Sequence, residues 1–519
     1  MFSKTTSSSK GESIILYKAT SIYIALLFSV FLLAVPAAGY VAIAEFKYVL
    51  FLLICGGYCV LVVFLRIQLA VTGIQPVKNI FEHVKDIPLV AKLLFIYMFA
   101  SMLSAVFSVY GGTFLGYFRH EGFFTILIYV CSCFFVSMYF RPKKWMIFLL
   151  GGSVCLFCLL AFVQLTGANP FTLFPYGQSY YGAGVYFPGE FISTTGNAGL
   201  GGAFLSLVAG VFLMVLVKYD FDKKWILAMP LFLVVLLIFE MNINAALLAF
   251  AVGVVLVLPV AVLNRGNLVN FLILVLVVVS AFAVSQFIAF GDGTTLFNFL
   301  PMVMPLVVAV FILAVALVIK KVDFFTKISA LQYRRVAIFA VVSVSVIALI
   351  YVALLGNRHT GMVFEASEVL QGRPDDSFGT RRIYIWRNVL ERIKPENILL
   401  GTGPDTLGFW DIPPFTRFSE ELGVILMSRI DAAHNEYLHI FATKGIFALL
   451  SYLGAIIVVL VQWFRLPNNS LLAVAGAGVL FYSIQAFFGI SMPIVAPYFW
   501  ACLGIFIYSQ KIVKSEVGA

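Results

Sequence analysis

The chain has 519 residues, of which 62% are hydrophobic and only 11% charged, with a mean hydropathy of +1.04. A soluble core cannot hide that much apolar surface, so a water-soluble enzyme is excluded and an integral membrane protein is expected. The net charge of +10 reports membrane topology and not nucleic-acid binding.

In chain order, a polar tail (residues 1–19) gives way to apolar windows of roughly 18–25 residues that recur to the C-terminus. The first lacks a small-residue cleavage site and reads as an anchor. About fourteen spans (about 12–14) are expected, centred near Leu27, Tyr58, Met98, Ile128, Cys155, Leu207, Val234, Val254, Val277, Val310, Val344, Leu453, Gly478 and Cys502. The predicted fold class is therefore all-α, a polytopic membrane helical bundle with one long, partly helical extracytoplasmic loop. It divides into the tail, a bundle over 20–355, a loop over 356–437, three last spans over 438–510 and a tail over 511–519. With both termini cytoplasmic, most of the 34 basic residues face inward, and the short outer loops hold only Lys47, Arg119 and Lys444. All seven cysteines fall inside predicted spans, and Cys155-x-x-Cys158 reads as packing because no partner ligands accompany it.

The first outer loop, 166–197, has no Lys or Arg and one acid, Glu190. It carries Phe171, Phe174, Tyr176, Tyr180, Tyr181, Tyr186, Phe187 and Phe191. These rings suit an aromatic belt at the membrane surface, or a platform for the C–H faces of sugars, and neither excludes the other. Further on, "FEMNINAALLAF" places Glu240 and Asn244 one helical turn apart. An intramembrane carboxylate is costly, and is usually functional or paired.

The second loop holds "GTRRIYIWRNVLERIKPEN". Thr380 suits an N-cap and Pro395 a stop, while Trp386, Val389, Leu390 and Ile393 form an apolar stripe that Arg382 joins one turn earlier. Arg381 and Arg382 at a helix start oppose the macrodipole. Such a conflict marks an anion site, where guanidinium forks and free N–H groups converge on phosphate; solvated surface charges are the plainer account. Next comes "LLGTGPDTLGFW", a tight turn expected to line the site with backbone amides and unlike the nucleotide P-loop pattern. Arg358, beside His359 at the end of the eleventh span, is a further candidate.

In "AAHNEYLHIFATKGIFALL" Asp431 is a reasonable N-cap just upstream, which makes His434 the third residue of a membrane-entering helix. His434, Leu438, Phe441 and Gly445 then share one face. A helix N-terminus disfavours imidazolium, leaving His434 neutral and able to accept a proton. Asn435 could hold a substrate hydroxyl or a loop carbonyl. His439 lies about 140° further round and reads as structural. The plainer account of His434 is an interfacial histidine at a helix start.

These stretches resemble the O-antigen ligase and O-antigen polymerase superfamily. His434-Asn435, nine residues and Gly445 are similar to one family pattern; Arg382, three residues and Trp386, followed by a Gly-x-Gly turn, are similar to another. "FISTTGNAGLGGAFLSLV" is similar to a Gly-Asn segment in many members. The resemblance implies inverting, metal-independent transfer of a glycan from a polyprenyl diphosphate, such as undecaprenyl diphosphate, to an acceptor hydroxyl outside the cytoplasmic membrane. His434 would be the general base, Arg382 would neutralise the departing diphosphate, and no cofactor is implied. Many members also carry a mid-chain arginine in a span, where Asn244 stands here; Arg381 or Arg358 is then expected to compensate. Ligase and polymerase remain equally open, as does the acceptor. The competing class is a transporter or flippase of lipid-linked saccharide, although no repeated halves are evident.

Overall fold

The structure is a computed structural model that describes residues 12–72, 87–174, 192–241, 243–290, 300–419 and 424–517. Backbone polar groups find no water in hydrocarbon, so an apolar chain must satisfy them internally. Almost everything described is accordingly helix. The N-terminal part comprises α1 (Glu12–Leu26), α2 (Ile43–Phe51), α3 (Gly57–Val71), α4 (Leu89–Val106), α5 (Phe123–Tyr139) and α6 (Lys144–Leu165). The middle comprises α7 (Ala198–Lys218), α8 (Ala228–Met241), α9 (Asn244–Ala261), α10 (Arg265–Phe290), α11 (Leu300–Lys321) and α12 (Ala330–Leu355). After α13 (Met362–Leu370) and α14 (Phe378–Glu391), the chain closes with α15 (Glu436–Arg465), α16 (Ser470–Ala486) and α17 (Ala496–Val517).

Ten helices among the described residues are long and apolar enough to cross a membrane, and α5 and α16 are shorter apolar helices. The first such window begins at Ile14, inside the stretch expected to be a polar tail. The helix before the long loop, α12, ends at Leu355.

α7 lies at the centre, buried along its whole length. Small residues let its neighbours approach closely. A Cβ added at Gly210 of α7 or at Gly253 of α9 would lie 2.7 Å from the ring of Phe481, so this α16 side chain fills a notch that two glycines leave open. α12 is the opposite case, because none of its apolar window is buried in the protein.

The segment after Leu355 has a small core of its own. Ile385, Val389, Leu407, Ile412, Ile430 and Ala433 cluster against Ala442 of α15. It also contains an antiparallel hairpin, β1 (Phe415–Ser419) with β2 (Val424–Ser428), pairing Phe415 with Ser428. The hairpin departs from the all-α expectation. Both strands are rich in β-branched and aromatic residues, which suit a pleated surface.

Several expectations are corrected here. Glu240 and Asn244 do not share a helix face, because the chain breaks between α8 and α9; Glu240 ends one helix and Asn244 begins the next. Lys47 is not in an open loop. It is buried in α2, and its Nζ donates to the carbonyls of Phe31 (2.6 Å) and Leu32 (3.0 Å), which are orphan acceptors at a helix end. Lys444 is likewise buried, within α15, and donates to Tyr97 Oη at 3.2 Å. In the aromatic loop Phe171 is exposed and Phe174 packs on Tyr40. Tyr176, Tyr180, Tyr181, Tyr186, Phe187, Phe191 and Glu190 lie outside the described residues.

Candidate functional site

The start of α14 is not capped by Thr380. Gly379, Thr380 and Arg381 all adopt positive φ, so regular helix begins at Arg382. That left-handed entry is costly for Thr380 and Arg381, and it turns the Gly379 carbonyl back onto Arg382 Nη1 at 2.7 Å. Arg382 Nε donates to Phe488 O at 3.1 Å. Burial holds the Arg382 pKa below its ordinary value, and no carboxylate lies within ion-pair distance among the described residues. A guanidinium oriented by carbonyls and left without an acid is preorganised for an anionic ligand. Trp386 follows one turn later. Its indole N–H donates to Ala433 O at 3.0 Å and its ring packs edge-on to Phe487, with centroids 5.6 Å apart. The apolar stripe is carried by Ile385, Trp386 and Val389; Leu390 is exposed.

α15 begins one residue after Asn435, not at Asp431. Asn435 is the N-cap, and its Oδ1 accepts from Leu438 N at 3.0 Å. Its carboxamide oxygen therefore serves the helix and not a substrate hydroxyl. His434 stands outside the helix with φ +49, a strained setting for a non-glycine residue. Its ring forms no hydrogen bond among the described residues. Burial, then the charges of Arg119 and Arg382, hold its pKa down at about 4, with Asp431 opposing them weakly. His434 is neutral at pH 7, as the sequence suggested, although the cause is desolvation and two cations.

The Gly-x-Gly turn does something other than line the site. Gly445 breaks α15 with φ +80 and ψ 179, a conformation open essentially to glycine alone. The turn fills the break: Gly403 N donates to Thr443 O (2.7 Å), Thr402 N to Ala442 O (3.3 Å), and Ile446 N to Ile398 O (2.8 Å). A Cβ at Gly401 would meet Thr443 C at 2.3 Å, and one at Gly445 would meet Leu399 O at 2.2 Å. The two motifs are halves of one junction. Its amides are spent on α15.

The junction also orients Asp405. Its Oδ2 accepts the backbone N–H groups of Phe118 and Arg119, each at 2.9 Å. This pins the α4–α5 connection beside the site. Arg119 then reaches Asp431, Nη2 to Oδ1 at 2.5 Å, and Met492 Sδ at 3.6 Å. The sequence analysis used Arg119 only as a topological charge. The available signal was the charged triplet Arg119-His120-Glu121 inside an otherwise apolar connection.

Beneath the site lies a buried polar network. Glu121 Oε1 accepts from Tyr129 Oη (2.8 Å) and Ser491 Oγ (3.2 Å), and burial pushes its pKa up to about 7. Glu436 accepts from Tyr452 Oη (2.6 Å) and Tyr482 Oη (3.0 Å). Glu121, Tyr129, Ser491, Glu436 and Tyr452, with His439 and Lys444, bound a cavity of about 10 Å³, room for one water at most. His439 lines this cavity. Neither acid was singled out from sequence.

The remaining candidates lie apart. Arg381 sets its guanidinium over the Phe415 ring, 5.7 Å from the centroid. Arg358 is exposed, and no hydrogen bond or ion pair joins it to His434, Arg382 or Arg119 among the described residues. The same holds for Asn244, which is exposed, and for Glu240, whose Oε1 is buried without a partner.

Residues 302–453 match the family model described as O-antigen ligase. Over this segment the chain is similar to the O-antigen ligase family. No curated protein matches the chain. The similarity supports O-antigen ligase-type glycan transfer at family level, and the many apolar helices support an integral membrane protein. The O-antigen ligase segment includes Arg382, Trp386, the Gly-x-Gly turn, His434, Asn435 and Gly445. Arg119 and the α8–α9 junction lie outside it.

Proposed function

We propose that the protein transfers a glycan, with inversion, from a polyprenyl diphosphate to an acceptor hydroxyl, on the outer face of the cytoplasmic membrane. The bundle has about fourteen spans and both termini in the cytoplasm. The loop over 356–437 supplies the site, and no metal takes part. The observation that carries this reading is a neutral imidazole, His434, under the charges of two guanidinium groups from separate parts of the chain, Arg119 and Arg382, with Trp386 tying the Arg382 helix to the residue before His434.

The acceptor hydroxyl attacks the anomeric carbon and gives its proton to the unprotonated ring nitrogen of His434. The bond from that carbon to the diphosphate oxygen breaks, and the electron pair leaves with the diphosphate, which Arg382 neutralises. A base with a pKa near 4 is weak at neutral pH. An arriving diphosphate offsets the two cationic fields and raises it towards the working range. The donor thus activates the base that acts on its own acceptor. Lipid-linked glycan, acceptor and bilayer are the partners; ligase and polymerase share this chemistry.

The test is transfer in membranes containing His434→Ala. Loss of transfer with normal insertion is expected, and normal turnover by that variant would exclude the general base.

A further inference from the structure

Arg119 is a guanidinium only partly used. It comes from the connection between α4 and α5, its side chain is 19% exposed, and it meets one oxygen of Asp431. The fork geometry of arginine suits two parallel bonds to an acid, yet among the described residues Nη1 meets only the weak acceptor Met492 Sδ and Nε is buried with no partner. The backbone beneath it is fixed by Asp405, so the side chain is presented rigidly. Arg382 contacts the same short connection after α16, through Phe488 O. Two arginines therefore flank residues 488–492, and both bear on His434. Meanwhile the mid-chain position that Asn244 occupies offers no cation to the site.

We propose that Arg119 is a second phosphate-binding residue of this site, with Asp431 as a placeholder that the donor's diphosphate displaces. This rests on the reading of the substrate as a diphosphate. A diphosphate carries more charge and more acceptor oxygens than one carboxylate, so it can engage Nε as well as both Nη groups. Asp431 is 27% exposed and returns to water when released. Before the donor binds, the ion pair keeps Arg119 extended beside His434. After binding, both guanidinium groups hold the leaving group.

The experiment is calorimetric titration of the purified full-length protein in detergent with inorganic diphosphate, with monophosphate as the comparison. Expected is a diphosphate site weakened roughly ten- to a hundredfold by Arg119→Gln. Asp431→Asn should tighten it, because the competing carboxylate is gone. A purely structural ion pair would give the opposite sign. The double variant, Arg119→Gln with Asp431→Asn, leaves no unpaired charge and should bind roughly ten- to a hundredfold more weakly than Asp431→Asn alone, which keeps the test usable if Arg119→Gln folds poorly; equal binding by these two would overturn the role of Arg119. Arg119→Gln binding like wild type while Arg382→Gln loses affinity would overturn the role of Arg119 and leave the diphosphate reading standing. Weakening by Asp431→Asn would overturn the placeholder. No diphosphate binding by the wild-type protein would overturn the phosphate reading itself, and this inference with it.

Discussion

Trp386 donates its indole N–H to the carbonyl of Ala433, 3.0 Å away and one residue before His434. This bond ties the helix that presents Arg382 to the backbone that presents the imidazole, and Ala433 is fully buried. Trp386→Phe keeps an aromatic ring near Phe487 but orphans the carbonyl, at a cost of about 1–3 kcal/mol. The expected result is a fall in kcat of roughly tenfold or more with little change in KM, read from initial rates of glycan transfer. An unchanged kcat would mean that the bond does not position His434.

The acid limb of the pH profile follows from the depressed His434 pKa. Activity requires the unprotonated ring, so kcat/KM, which reports the free protein, should fall only as pH drops towards about 4. In the donor complex the phosphate charge offsets Arg119 and Arg382, which raises the pKa, so the limb in kcat should lie at higher pH. Glu121, pushed up to about 7, is replaced by Gln in a parallel series, and the limb should stay in place. Coincident limbs in kcat and kcat/KM would contradict donor activation.

Arg382→Lys removes a fork that is fixed by Gly379 O and Phe488 O. An ammonium is a point charge on a flexible stem and cannot reproduce two carbonyl contacts while facing a phosphate. A loss of about a hundredfold in kcat/KM is expected, measured with the lipid-linked donor. Free substitution by Lys would leave only a requirement for charge.

The sequence showed the helical membrane bundle because apolar run length is a local property. It singled out His434 and Arg382 as candidates because both sit in short patterns, and the structure brings the Arg382 charge to bear on His434. It missed what depends on long-range assembly. Asp431 has the composition of an N-cap, yet Asn435 caps α15 because Arg119, more than 300 residues earlier, holds Asp431 elsewhere. The Gly-x-Gly turn was assigned to the site for its amides, but those amides complete the broken turn at Gly445. Lys444 reads from sequence as an outer-loop charge and Glu436 carries no signal there, and the packing of α15 against Tyr97, Tyr452 and Tyr482 buries both.

That junction makes Gly445 a stability determinant independent of the chemistry. Gly445→Ala places a Cβ 2.2 Å from Leu399 O in a backbone conformation that alanine avoids. A destabilisation of about 3 kcal/mol or more is expected, seen as a lowered thermal midpoint of the purified protein. Transfer should be lost along with it, since the Gly-x-Gly turn carries Asp405 and hence Arg119. A midpoint equal to wild type would show that the break is not required.

The most direct measurement is release of polyprenyl diphosphate from a glycan-charged lipid donor in proteoliposomes, for the wild-type protein and His434→Ala side by side. Expected is release matched to glycan transfer by the wild type, and a loss of about 10²- to 10⁴-fold in the variant. Equal release by the two proteins would contradict His434 as the base, and movement of intact donor across the bilayer with no bond broken would contradict glycan transfer altogether.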